Sequence, residues 1–496
     1  MKTIKTLVVG GGFGGMAAAL RAKAMGHDVV LIERLGMLGG RAQVITKNGY
    51  KHDTGPTVIT APFLFEELFS LFDENIKDYI KFVPLEPWYR FYFHDSSTFD
   101  YSSSISKTKK EIAKFSPEDS EGYESLLKKS EEIFDIGFTK LSAQSFTSFW
   151  TMLKQIPFLI KLKSYLSVYS FVSKFIKNSK IRSAFSIHPL LVGGNPFTTT
   201  SIYSLIHYLE RKWGVFFCMG GTGKLVEELS NLIKRQGIRV VLNEDIVKVE
   251  HENNIAKCAI SNLGNKYDFD NIIYNGDPPT FYEEVLTPKR KNLLNPIIPN
   301  KLLSYSMGLY VLFFGTKKKF NDIAHHTIWL TERFETLLED IFEKKKLTKD
   351  FSLYIHRPTA TDDTFAPSGC DSFYVLCPVP NLKNNLNWDV EGENLKENII
   401  NELEKTIMPD LKKYITDVSY MTPKSFKTNY RSMWGAGFSI APKFYQSAWF
   451  RYHNQDPKIK NIFFSAAGAH PGAGIPGVLS SAKVVETILK DQEIRY

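Results

Sequence analysis

Gly10, Gly12 and Gly15 stand between two apolar segments of different period, and no other feature of the chain restricts its fold so strongly. Ile4–Val9 reads as a strand, Met16–Met25 as a helix and Val29–Ile32 as a second strand, so the chain opens with a βαβ unit. In such a unit the first glycine permits the tight turn and the second lets a pyrophosphate approach the backbone. The third lets helix pack on strand. Phe13 and Gly14 lie in the same turn, where the free N–H groups and positive end of the helix would meet phosphate. Glu33 ends the second strand, 18 residues after Gly15, where its carboxylate can accept from both hydroxyls of a ribose and repel a 2′-phosphate. A dinucleotide other than NADP is expected there, with Arg34 beside it.

The same glycines argue against a secretory signal at the N-terminus, although Lys2, Lys5 and Ala22-Lys23-Ala24 imitate one. No apolar run reaches the ~18 residues that a spanning helix needs. At 496 residues the chain exceeds one hydrophobic core, and its 43% hydrophobic content supports order throughout, so two domains are expected. The α/β rhythm returns in helix Lys224–Gln236, strands Arg239–Leu242, Ile246–Glu250 and Ile272–Tyr274, and again in strand Ile462–Ser465 with helix Gly477–Lys490. Between these stretches the pattern is different. Residues 62–208 read as mostly helical with aromatic strands near Trp88–Phe93, and 294–424 as mixed, with strands Ser306–Phe314 and Ser372–Val379 and helix Leu395–Met408.

The net charge of +9 is spread along the chain without a basic block, which excludes a nucleic-acid partner and favours an anionic membrane face. Cys218, Cys258, Cys370 and Cys377 show neither C-x-x-C nor metal-ligand spacing, so no metal and no disulfide is expected and a reducing, cytoplasmic compartment fits. Gly220–Lys224 imitates a phosphate loop, but Cys218 replaces its first glycine and Leu225 its magnesium-binding hydroxyl.

Three further motifs carry a family resemblance. Leu38-Gly39-Gly40-Arg41-Ala42 and Asp53-Thr54-Gly55-Pro56-Thr57 resemble elements of the flavin amine-oxidase superfamily, and the loop from Ala467 through His470-Pro471-Gly472 to Ala482 resembles the signature of the bacterial phytoene desaturases. Val58-Ile59-Thr60, His188–Phe197, Trp213-Gly214-Val215, Gly220–Gly223 and Gln446–Arg451 agree with that family as well, so the resemblance spans nearly the whole chain. It implies FAD, with Gly40 and Arg41 at the pyrophosphate, Gly55, Pro56 and Thr57 beside the flavin, and Ile246 at the adenine. Gly468, Ile475, Pro476, Gly477 and Val478 would bring a helix N-terminus to the flavin ring.

The fold so implied is α/β: a Rossmann-type FAD-binding domain with a parallel sheet (1–75, 218–293, 425–496) interleaved with a mixed α+β domain (76–217, 294–424) that binds substrate and associates with membrane. The activity implied is desaturation of phytoene, a long apolar polyene, in successive two-electron steps toward neurosporene or lycopene, with oxygen or a quinone as acceptor. The alternatives are a later carotenoid of hydroxyneurosporene type, a C30 precursor, a flavin amine or protoporphyrinogen oxidase, and a lipid-binding protein like the Rab GDP-dissociation inhibitors. No Ser-His-Asp or Cys-His arrangement stands out, and catalysis is expected to centre on the flavin, with His188 and Asn195 the polar channel candidates. Relatives often carry an Arg-Asp pair where this chain has Trp150-Thr151, which weakens any reading that needs a side-chain base.

The aromatic content of 14% suits a long apolar channel. Leu153, Ile156, Leu159 and Ile160 share one helical face and Val168 and Val172 another, with Lys154, Lys161, Lys163, Lys174, Lys177 and Lys180 around them. These are expected to contact a membrane from its cytoplasmic side, as a peripheral interfacial helix does.

Overall fold

Short runs of β-branched and aromatic residues build the first sheet. Lys5–Val9 lies at its centre, flanked by Asp28–Ile32 and then Arg239–Val241 on one side, and by Asn271–Tyr274 and then Ile462–Phe464 on the other. Every pairing is parallel. The protein, here a computed structural model, is described for residues 3–137, 162–288 and 303–494. Chain segments far apart in sequence therefore meet in one sheet, as the α/β rhythm predicts. Helix Phe13–Ala24 packs against helix Ile475–Glu493. Ala17, Ala18 and Ala19 keep the helix surface thin enough for that approach, and all three are buried. Arg21 closes the contact from within, its guanidinium donating to Glu486 at 2.6 Å and to Glu67 at 2.9 Å.

A second, four-stranded sheet places Ile246–Glu252 between Ile255–Ser261 and Leu286–Thr287, with Lys266–Asp268 outside. The third and largest sheet has seven strands. In order these are Ile415–Met421, Gly308–Thr316, Asp371–Val379, Leu353–His356, His326–Leu330, Tyr89–Phe93 and Thr98–Tyr101. The run Gly308–Thr316 is buried along its whole length, as a strand covered on both faces must be. Its side chains alternate between two cores: Leu309, Val311 and Phe313 face one, while Tyr310, Leu312 and Phe314 face the other, beneath helix Trp388–Thr406.

Several expected elements shift. The first helix starts at Phe13, inside the glycine turn, because Gly12 already serves as its N-cap. The helix expected from Leu395 starts at Trp388, where the Asn387 side chain accepts from the Asp389 N–H. The aromatic strands expected near Trp88–Phe93 are present as Tyr89–Phe93 with Thr98–Tyr101 beyond it, and they extend the large sheet through a parallel pairing with His326–Leu330.

The membrane reading of Val168 and Val172 is overturned. Both are fully buried, in a five-residue helix, Val168–Val172, whose apolar stripe faces the protein's own core beside Phe185 and Tyr123. The surrounding lysines are partly spent on internal partners: Lys177 pairs with Glu118 at 2.7 Å, and Lys180 bonds Asp95. An amphipathic stripe has the same sequence pattern whether a core or a lipid surface covers it. Leu153, Ile156, Leu159 and Ile160, together with Trp150-Thr151, lie outside the described residues. Among the described residues no helix is long and apolar enough to cross a membrane.

Candidate active site

The crossovers from Lys5–Val9 run to one side for Asp28–Ile32 and lead to Asn271–Tyr274 on the other, so a crevice opens at the carboxyl ends of the strands where the order reverses. Gly10 turns there with φ of 99°, and its N–H donates to Ile32 at 2.8 Å. Asn275, the residue after the neighbouring strand, fills the space that the glycines leave. Its Oδ1 accepts from the Gly12 N–H at 3.1 Å, and its Nδ2 bonds the Ser465 carbonyl. Gly15 does not face the crevice. A Cβ on it would lie 1.9 Å from the Gly10 carbonyl oxygen, so its role is the close seat of helix on strand.

Gly10, Gly12, Phe13 and Gly14 line a cavity of about 560 Å³, with Glu33 and Arg34 at the second strand's end and Ile246 opposite. Glu33 accepts from the Gly11 N–H at 2.7 Å and the Leu35 N–H at 2.8 Å. Burial raises its carboxyl above the ordinary range, and those two N–H groups with Arg34 oppose the rise. The Gly39-Gly40-Arg41 turn lies directly on the glycine loop, with the Gly39 N–H donating to the Gly11 carbonyl at 2.8 Å. Gly40 and Arg41 line the same cavity, as do Gly55, Pro56 and Thr57. Gly55 is held against the Arg41 backbone, where a Cβ would come within 1.9 Å of the carbonyl oxygen. Gly468, Ile475, Pro476, Gly477 and Val478 close the far side, around the N-terminus of helix Ile475–Glu493.

Beyond these residues the same cavity continues into an apolar chamber bounded by Ile187, Leu190, Leu309, Ile328, Leu330 and Tyr374. Ile133, Ile136 and Gly137 on one side of the 138–161 stretch, and Leu162 on the other, border it. Thr57 and Tyr354 put their hydroxyls 2.5 Å apart on the wall of the cavity. Burial lifts the Tyr354 phenol well above its ordinary range, so it stays protonated.

His188 and Asn195 are not among the residues that line this cavity. His188 stands behind the wall, with Nε2 3.1 Å from Glu210, which also accepts from the Tyr89 hydroxyl at 2.7 Å. Asn195 is used locally, its Oδ1 accepting from the Phe197 N–H at 2.9 Å to hold a turn. Glu210, which does line the cavity, was not indicated by any motif. Asn275 and Asp277 were missed too, although Asn275-Gly276-Asp277 directly follows a parallel strand, the place where such folds present binding groups. Asp277 is buried, bonded to Ser439 and accepting from the Met433 N–H at 2.8 Å. Burial raises its carboxyl, against those donors and the Arg41 charge.

The cleft thus offers open glycine backbone at the strand ends, a carboxylate at the end of the second strand, an arginine beside the glycine loop and a second helix N-terminus, a set that fits FAD. Sequence comparison gives the class: the chain belongs to the flavin-containing amine oxidoreductases, whose family profile matches residues 13–485, so FAD is its cofactor and oxidoreduction its chemistry. Within that class it is similar to phytoene desaturases. It is 41% identical over 492 residues to the lycopene-forming phytoene desaturase of Pantoea ananas, covering 99% of each chain. It is 35% identical over 506 residues to the neurosporene-forming enzyme of Rhodobacter capsulatus, covering 98% of this chain and 94% of that one. Putrescine oxidase with bound putrescine shares the fold, with a TM-score of 0.64 at 12% identity and full coverage of both chains.

Proposed function

We propose that the protein desaturates phytoene in successive two-electron steps toward neurosporene or lycopene. The observation that carries this reading is the single cavity, in which the dinucleotide cleft runs without a break into an apolar chamber. A polyene has no charge or hydrogen-bonding group to anchor, and an apolar chamber suits it where an amine substrate would call for polar or aromatic-caged contacts. Bound FAD supplies the two-electron oxidation of a C–C bond beside a conjugated segment. The chain's own part is to align that bond and keep water out. Glu210 has both oxygens engaged by Tyr89 and His188, and the Tyr354 phenol is held neutral, which supports a reaction without a dedicated side-chain base.

The interleaved division into 1–75, 218–293 and 425–496 for FAD and 76–217 with 294–424 for substrate belongs to this proposal. Strands from both substrate segments share the seven-stranded sheet, which supports it. A peripheral membrane contact through Leu153, Ile156, Leu159 and Ile160, for a substrate that dissolves only in lipid, also belongs to this proposal. Oxygen or a quinone is the proposed acceptor.

Pairing the gene with a phytoene synthase in a host free of carotenoids tests the reading. Coloured polyenes with conjugation extended beyond phytoene are expected. Unchanged, colourless phytoene with FAD-loaded protein present would overturn it.

A further inference from the structure

Strand register brings a third histidine, His356, to the consecutive pair His325-His326. His326 and His356 are directly paired across adjacent antiparallel strands, and His325, just before the first strand, turns its ring toward both. The three ring centroids are 4.7 to 5.4 Å apart, and each histidine's nearest ligating nitrogen lies within 4.8 Å of the others. All three are buried, at 6%, 0% and 0% exposure. Asp53, 1% exposed at the end of strand Tyr50–Asp53, points a carboxylate oxygen at His356 Nε2 from 3.8 Å, too far for a hydrogen bond.

Each of these side chains has a buried polar atom without a partner. His325 Nε2, His326 Nε2, both His356 nitrogens and Asp53 Oδ2 are buried without a hydrogen bond. On their outer sides His325 and His326 are anchored, the former through Nδ1 and the Thr361 hydroxyl at 2.7 Å, the latter through Nδ1 and the Tyr354 hydroxyl at 2.7 Å. A ring nitrogen held by an outer partner, with the other nitrogen free and inward, is how metal-ligating histidines are oriented.

We propose that His325, His326, His356 and Asp53 form a tetrahedral site for a divalent cation of zinc type. Three imidazoles and one carboxylate match that ion's preference among the first-row metals. Ligands at bonds of ~2.0–2.1 Å are spaced roughly 3.3 Å apart in a tetrahedron, so the three histidines, whose ligating nitrogens lie within 4.8 Å of one another, would close by shifts of under ~1 Å each, while Asp53, 3.8 Å from His356 alone, would have to swing further in. The ion would join the strand leading into Gly55-Pro56-Thr57 to the seven-stranded sheet. Through His326 and Tyr354 it would set the hydroxyl that meets Thr57.

The test is the metal content of the FAD-loaded, full-length protein from zinc-supplemented cells after chelator washing, with cobalt substitution alongside. About one zinc per chain and visible tetrahedral cobalt bands are expected. His325→Gln and His356→Gln should each lower bound zinc at least ~10-fold while keeping the flavin spectrum. Wild-type protein with no zinc above buffer and no cobalt bands would overturn the site, as would variants that keep full zinc. If either variant fails to fold, X-ray absorption of the wild-type zinc decides: a nitrogen and oxygen shell supports the site, and a shell with sulfur rejects it.

Discussion

Substituting Gly15 by alanine tests the architecture of the cleft at its tightest point. The added methyl carbon would sit 1.9 Å from the Gly10 carbonyl oxygen and 3.0 Å from Asn275 Cβ. Even a strained contact of about 3 Å would force helix Phe13–Ala24 and the glycine turn apart by roughly 1 Å, and overpacking of that kind costs ~1–3 kcal/mol. The backbone on both sides is hydrogen-bonded, so little of the strain can be relieved by a side chain. The loss therefore appears as lower stability of the protein without FAD, as weaker FAD binding, or as both. A cost wholly in binding raises the FAD dissociation constant ~5- to ~150-fold. Gly36→Ala is the control, because its Cβ would meet only the end of the Asn243 side chain at 3.3 Å. The assay is titration with FAD by flavin fluorescence, paired with thermal unfolding of the apoprotein. Gly15→Ala protein that melts as wild type and binds FAD within twofold of it would refute this account of the helix seat.

Other consequences follow from single groups. Glu33→Ala leaves the Gly11 and Leu35 N–H groups unpaired and removes the acceptor proposed for the ribose, so FAD affinity should fall by ~1–3 kcal/mol; unchanged titration would refute the ribose proposal. Glu210→Leu strands the Tyr89 hydroxyl and His188, and should destabilise the fold by ~2–5 kcal/mol in urea unfolding. Leu330→Trp fills the chamber away from the cleft: the flavin spectrum should be retained while desaturation falls ~10²-fold, measured with phytoene in liposomes. His207 is fully buried, and desolvation together with His188 holds it well below the ordinary histidine range. Its folded pKa is lower than its unfolded one, so the unfolded chain binds the extra proton and stability is lost as pH falls below about 6.5. His207→Leu should flatten that acid limb of the unfolding curve, and an unchanged limb would assign the loss elsewhere.

What could be read from the chain was what local chemistry dictates. Gly10, Gly12 and Gly15, Glu33, and the loop before helix Ile475–Glu493 each need their residue types for reasons within a few residues; all but Gly15 line the cavity, and Gly15 seats the helix on the strand. Asn275 and Asp277 act across 263 and 162 residues, on Gly12 and Ser439, and only their place just after strand Asn271–Tyr274 marks them in the sequence. The cluster of His325, His326 and His356 escaped notice because strand register, not spacing, brings His356 to the other two. Val168 and Val172 were misread because their stripe specifies an apolar neighbour without saying which one. His188 sits beside apolar residues in the chain, yet its partner is a carboxylate on another helix.

The central claim is that one cavity brings a polyene to the flavin. Anaerobic mixing of the FAD-loaded protein with phytoene in liposomes tests it most directly, with flavin absorbance and polyene absorbance followed together. The account predicts that the oxidised flavin band bleaches as new conjugated-polyene absorption rises, and that a panel of amines leaves the flavin oxidised. Bleaching by an amine, with phytoene inert, would contradict it.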